Sequence, residues 1–209
     1  MKRPQTGFTL VEIAVVLVII GLLLGGVLKG QELINSAKAK AIANEFRNTA
    51  TMIAAYQDRF RALPGDDKSA SSHFSSANNG NGNGVIDGSW SSTEASTTGS
   101  TPAESTYIWQ HLRLANLAPG SSSTPSTGDW EPRNAEGGRI GVQSAVPFTG
   151  MRGRIFVCQG NVSGRIAQQV DTAMDDGKAN DGAVQFGASL DAAETSLDEG
   201  KPYIICASL

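Results

Sequence analysis

Glu12 makes the strongest chemical demand in this 209-residue chain. It stands in the apolar run FTLVEIAVVLVIIGLLLGGVL, from Phe8 to Leu28, with only Thr9 as polar company. As an α-helix that run is roughly 31 Å long, enough to cross the hydrocarbon core of a bilayer. A carboxylate inside such a helix is costly, so it calls for a cationic partner and a function. The short stretch ahead of it, MKRPQTG, offers a route to that partner. A cut between Gly7 and Phe8 would create an α-amino group four residues before Glu12. That cation could neutralise the carboxylate, in the same chain or in a neighbour, and opposite charges in an apolar setting attract strongly. Lys2 and Arg3 predict a cytoplasmic N-terminus, with everything after Leu28 on the other side. A conventional secretory signal has a shorter apolar region followed by a small-residue cleavage site. The nearby A-x-A patterns here, in SAKAKA (36–41), belong to a continuing helical pattern.

The run Gly7-Phe8-Thr9-Leu10-Val11-Glu12, its apolar continuation and the short basic leader resemble the type IV pilin and type II secretion pseudopilin superfamily. The resemblance covers roughly the first sixty residues, less than a third of the chain. It implies that Gly7 precedes the cut made by a prepilin peptidase. It also implies that Phe8 becomes an N-methylated first residue and that Glu12 contacts a neighbouring subunit's N-terminus. One departure concerns the end of the apolar run. Where many pilins carry a helix-kinking proline, this chain reads Gly25-Gly26-Val27-Leu28-Lys29-Gly30. Paired glycines weaken a helix by about 1 kcal/mol each relative to alanine, so melting or bending there on assembly is expected.

Two other groups of residues have oxygen chemistry. Asn79, Asn81 and Asn83, followed by Gly84, Ile86 and Asp87, match the ligand spacing and turn glycine of an EF-hand-like loop. Asparagine replaces most of the acids and no glutamate stands at the last position, although Asp66 and Asp67 could add charge. The plainer reading is an Asn-Gly turn. The second group is Asp171, Asp175, Asp176 and Asp181 in DTAMDDGKANDG, either a calcium site or a solvated acidic turn. Calcium is therefore the one cofactor to consider, and the resemblance is compatible with it. Cys158 and Cys206 are the only cysteines. Spacing alone does not pair them, but outside the cytoplasm an oxidised pair is the natural expectation.

Nucleophile and phosphate motifs are missing: there is no G-x-S-x-G, P-loop, H-E-x-x-H or Cys-x-x-Cys. His73 falls in a serine-rich loop, and His111 reads as a packing or surface residue of a short helix. Asn161-Val162-Ser163 fits a glycosylation sequon but equally an ordinary turn. Trp90, Trp109 and Trp130 read as anchors for long loops. These features point away from an enzyme. A net charge of −3 and a pI near 5.4 argue against general nucleic-acid binding. Charge is nevertheless segregated. Arginines 133, 139, 152, 154 and 165 share their stretch with the single acid Glu136, whereas eight acids between Asp171 and Glu199 share theirs with Lys178. The stretches are either solvated faces or surfaces that meet between neighbouring subunits.

These residues need elements to hold them. Leu33, Ile34, Ala37, Ala41, Ile42, Phe46, Ile53, Tyr56 and Phe60 recur at spacings near three and four, continuing the apolar helix in amphipathic form. Leu63-Pro64-Gly65 stops it. The expected organisation is a leader (1–7), a transmembrane or filament-core helix (8–30) and an amphipathic half of the same helix (31–63). A loop-rich region (64–138) follows, with a short helix near 107–117. Residues 139–209 then hold an antiparallel sheet with a C-terminal disulfide loop. Candidate strands are Arg139–Val146, Arg154–Cys158, Gly182–Phe186 and Pro202–Ala207.

The fold class is α+β: a long N-terminal helix, apolar then amphipathic, on a small antiparallel sheet with long loops, as the pilin resemblance implies. The expected function is assembly into a homo-oligomeric helical filament of type IV pilus kind. The resemblance implies prepilin peptidase and an inner-membrane assembly platform as partners. It also implies a precursor in the inner membrane with its globular part in the periplasm, and then a place in an extracellular pilus or periplasmic pseudopilus. Two other readings stand beside it. One is a type II secretion pseudopilin. The other is a minor pilin whose globular domain binds DNA or a surface through the 133–165 arginines, the one case in which nucleic acid would be a partner.

Overall fold

The computed structural model describes residues 9–92, 103–122 and 130–209. The expected cleavage pair Gly7-Phe8 and the Ser/Thr-rich stretches at 93–102 and 123–129 lie outside the described residues. Chain contacts divide the protein into two compact units, Met1–Ala37 and Lys38–Leu209.

The long helix α1 covers Leu10–Phe60. It runs without a break through Gly21, Gly25, Gly26 and Gly30, and a Cβ added at any of the four would meet nothing within 4 Å. The sequence placed its end near Leu63, but helical geometry stops at Phe60. Arg61 takes a left-handed conformation (φ 55°), its N–H still closing a last helical bond to the Gln57 carbonyl at 2.9 Å. Gly65, at φ 93°, completes the exit beyond Pro64.

In the second unit α1 buries Ala39, Ile42, Ala43, Phe46, Thr49, Ile53 and Tyr56, a stripe that recurs every three or four residues. Leu33 and Ile34, which the sequence pattern assigned to the same packing face, are instead 62% and 58% exposed. The packed stripe begins with the second unit, five residues later.

The stripe packs on a four-stranded antiparallel sheet of order β1-β2-β4-β3. The strands are β1 (Ile140–Gln143), β2 (Phe156–Ser163), β3 (Val184–Gly187) and β4 (Pro202–Ser208). Side chains alternate across a strand, and here both faces are covered. Val157, Tyr203, Ile205 and Ala207 join α1 in the larger core. Phe156, Cys158 and Cys206 face the other way, against Trp90, Phe148 and Met151. A Cβ on Gly141 of β1 would lie 2.1 Å from the Trp90 carbonyl oxygen, so only glycine lets that covering loop approach.

Shorter elements complete the domain: α2 (Ala70–His73), α3 (Ile108–Leu114) and α4 (Gly164–Met174). Ile108, Leu112 and Ala115 are buried, as the amphipathic pattern of α3 requires. Helix α4 follows β2 directly and was not foreseen. It buries Ile166, Ala167 and Val170 in the larger core.

Candidate functional site

Within the first unit every described residue from Thr9 to Lys29 is exposed, including Leu10 at 87%. The apolar length of α1 is sufficient to cross a membrane. At its start Thr9 and Glu12 form a reciprocal cap. The Thr9 N–H and hydroxyl both donate to Glu12 Oε2, at 2.8 and 2.7 Å, and the Glu12 N–H donates to Thr9 Oγ1 at 3.3 Å. This is the capping-box arrangement, in which a first-turn carboxylate satisfies donors that the helix itself leaves open. The cap fixes Glu12 at the helix mouth.

A search of protein families returns the one described as "Prokaryotic N-terminal methylation motif", matching residues 2–28. Residues 2–28 carry a prepilin-type methylation motif. The match spans the expected cut site, Glu12 and the whole apolar run, and this prepilin-type motif is the one found in type IV pilins and pseudopilins. No curated protein and no solved structure matches the chain.

Thr9 is the motif residue whose role the sequence reading missed, although T-x-x-E ahead of an apolar run is the signature of a capping box. An apolar helix bearing this motif is consistent with membrane anchoring before assembly.

Away from the motif, Cys158 and Cys206 are bonded to each other. They are directly opposed on β2 and β4, 4.1 Å apart at Cα, and the bond closes a sequence separation of 48.

The residues of the Asn-Gly loop serve the backbone. Asp66 accepts the N–H groups of Gly82, Asn83 and Gly84 at 2.7–3.0 Å. Asn79, Asn81 and Asn83 accept N–H groups from Ser71, Asn83 and Val85 through their side-chain oxygens. Asp87 accepts the side-chain amides of Asn81 and Asn83. Buried Glu104 takes the N–H groups of Asn81 and Asp87; burial raises its pKa and those bonds partly offset the rise. Sequence reasoning gave Glu104 no role, because its partners lie about twenty residues upstream.

His111 is buried, with both ring nitrogens engaged. Gly65 N–H donates to Nδ1 at 2.9 Å, which leaves Nε2 to carry the proton and donate to the Asn78 carbonyl at 2.7 Å. Burial lowers its pKa and keeps the ring neutral. It pins α3 to the turn after α1, a packing role.

In the acidic segment the structure brings Asp171, Asp175 and Asp176 together, with ligand atoms within 4.8 Å of one another. Asp181 stands outside that group and accepts the Gly182 N–H.

Proposed function

We propose that this chain is a structural subunit of a type IV pilus-like filament, made as a membrane-anchored precursor and assembled through its N-terminal helix. A prepilin peptidase cuts after Gly7, Phe8 becomes the methylated N-terminus, and an inner-membrane platform feeds the processed subunit into the polymer. The apolar half of α1 forms the filament core and the sheet domain forms its surface.

The observation that carries this reading is an exposed apolar helix whose lone acid is held at its first turn. In water such a surface is unfavourable by about 25 cal/mol for each Å² of apolar area, and a bilayer or a bundle of like helices removes that cost. Glu12 then remains as a charge in an apolar setting. The α-amino group of Phe8 on an adjacent subunit neutralises it, and pairing is complete only at the correct axial register.

The test is Glu12→Ala. The variant is expected to be cut and methylated normally while its yield of sheared filaments falls at least tenfold. Abundant normal filaments from Glu12→Ala would refute the assembly role.

A further inference from the structure

Among the described residues of the sheet domain five acids are buried, and four of them are well partnered. Asp66 and Glu104 are saturated by backbone N–H groups. Asp67 accepts the Tyr56 hydroxyl and the Ser69 N–H, and Glu131 lies 2.9 Å from the Arg139 guanidinium. Asp171 is the exception. Its side chain is fully buried in the last turn of α4, and neither carboxylate oxygen has a hydrogen-bond partner. Burial and the neighbouring Asp176 and Asp175 raise its pKa, and the Gly177 N–H, which pulls the other way, completes no hydrogen bond to it. Leaving a carboxylate buried and unmatched is unfavourable, so something is expected to meet it.

What faces it is more negative charge. Asp175 and Asp176 each offer an oxygen to the same small volume as Asp171. Asp175 is held there by its own contacts: Oδ2 accepts the N–H groups of Ala183 and Val184 at 2.5 and 2.9 Å, which ties the turn to the start of β3. A Cβ on Gly182 would fall 1.9 Å from that oxygen, so glycine is needed for the approach. Asp176 accepts the Lys178 N–H at 2.9 Å, and the Lys178 ammonium lies 3.6 Å from its Oδ2 with its side chain 67% exposed. One solvated ammonium stands against three carboxylates.

We propose that Asp171, Asp175 and Asp176 bind a divalent cation of calcium's size, which locks the α4–β3 turn of the sheet domain. The donors are all carboxylate oxygens, which suit a hard cation rather than zinc or copper. The three ligand atoms lie within 4.8 Å of one another, close enough to share one ion. Calcium, with 6–8 oxygens at about 2.3–2.6 Å in flexible geometry, suits an irregular carboxylate set better than magnesium, which demands a near-ideal octahedron at about 2.0–2.1 Å. Asp171 supplies the buried anchor, Asp175 couples the ion to β3, and Asp176 closes the site from the solvent side.

The test uses the full chain in detergent micelles, stripped with a chelator and then titrated with calcium chloride by calorimetry and by thermal unfolding. One ion should bind per chain, and the Tm of the sheet domain should rise by several degrees. Asp176→Asn, at an exposed position that leaves the fold intact, should weaken binding at least tenfold. Asp171→Asn should abolish binding, yet in chelator it should melt at or above the wild-type temperature, because it removes the unmatched charge. The absence of both heat and a Tm shift with calcium would overturn the proposal. So would wild-type binding in both variants, which would put the ion elsewhere, as in the Asn79–Asp87 loop.

Discussion

Glu45 projects from the buried stretch of α1, and its Oε2 has no hydrogen-bond partner. Burial raises its pKa to about 7, with the Ala135 backbone N–H pulling the other way. The sign follows from linkage: a carboxyl raised in the folded state contributes stability below its unfolded value near 4.5, and that contribution is lost as pH rises through about 7. After discounting for partial exposure the effect is on the order of 1 kcal/mol, or roughly 2–4 °C in Tm. Glu45→Gln should remove that share of the decline in Tm between pH 5 and pH 8. An unchanged pH profile would show that Glu45 does not feel its surroundings in this way. Residues of this kind differ in legibility. Glu12 stands out in the sequence because a single acid in an apolar run has no neighbouring explanation, although its cap with Thr9 was not foreseen. The roles of Glu104 and Asp171 are not, because they arise only when α3 meets the Asn-Gly loop and when the end of α4 meets β3.

Among the elements, the long helix and the strands were legible in different degrees. Apolar content and a three-to-four spacing marked α1, but its exposed and packed portions divide at Lys38, where no residue type changes abruptly. The β2 segment was expected to end at Cys158 and continues to Ser163. Gln159, Gly160 and Asn161 have poor strand propensity, and they pass through a bulge with Asn161 at φ 55°. Helix α4 escaped notice because it begins at a glycine and Ser163 makes no side-chain cap bond, although Ile166, Ala167, Val170 and Met174 carry a helical spacing. The disulfide joins two strands that are already paired, so its main effect is on the unfolded chain. Loop-closure entropy for a 48-residue separation gives about 4 kcal/mol. Replacing both cysteines by alanine should lower the Tm by roughly 10 °C. A drop of only a degree or two would mean that the β2–β4 pairing persists in the unfolded ensemble.

For the whole molecule, the segregated charges bear on how copies meet. Part of the basic stretch is used inside one subunit: Arg139 pairs with Glu131, and Arg165 lies 4.0 Å from Glu199 of the acidic stretch. Arg152 and Arg154 are exposed. If they steer one subunit onto the acidic surface of the next, Arg152→Glu with Arg154→Glu should cut filament yield several-fold without changing the Tm. Normal filaments from that double variant would leave both stretches as solvated surface. These contacts all presuppose that the helix is freed from its leader and built into a polymer. The most direct measurement is the intact mass and N-terminal sequence of the protein from sheared surface material and from membranes. We expect a chain that begins at methylated Phe8 in the sheared filaments. An N-terminus still at Met1 in every fraction would contradict processing, and with it the proposed route into a filament.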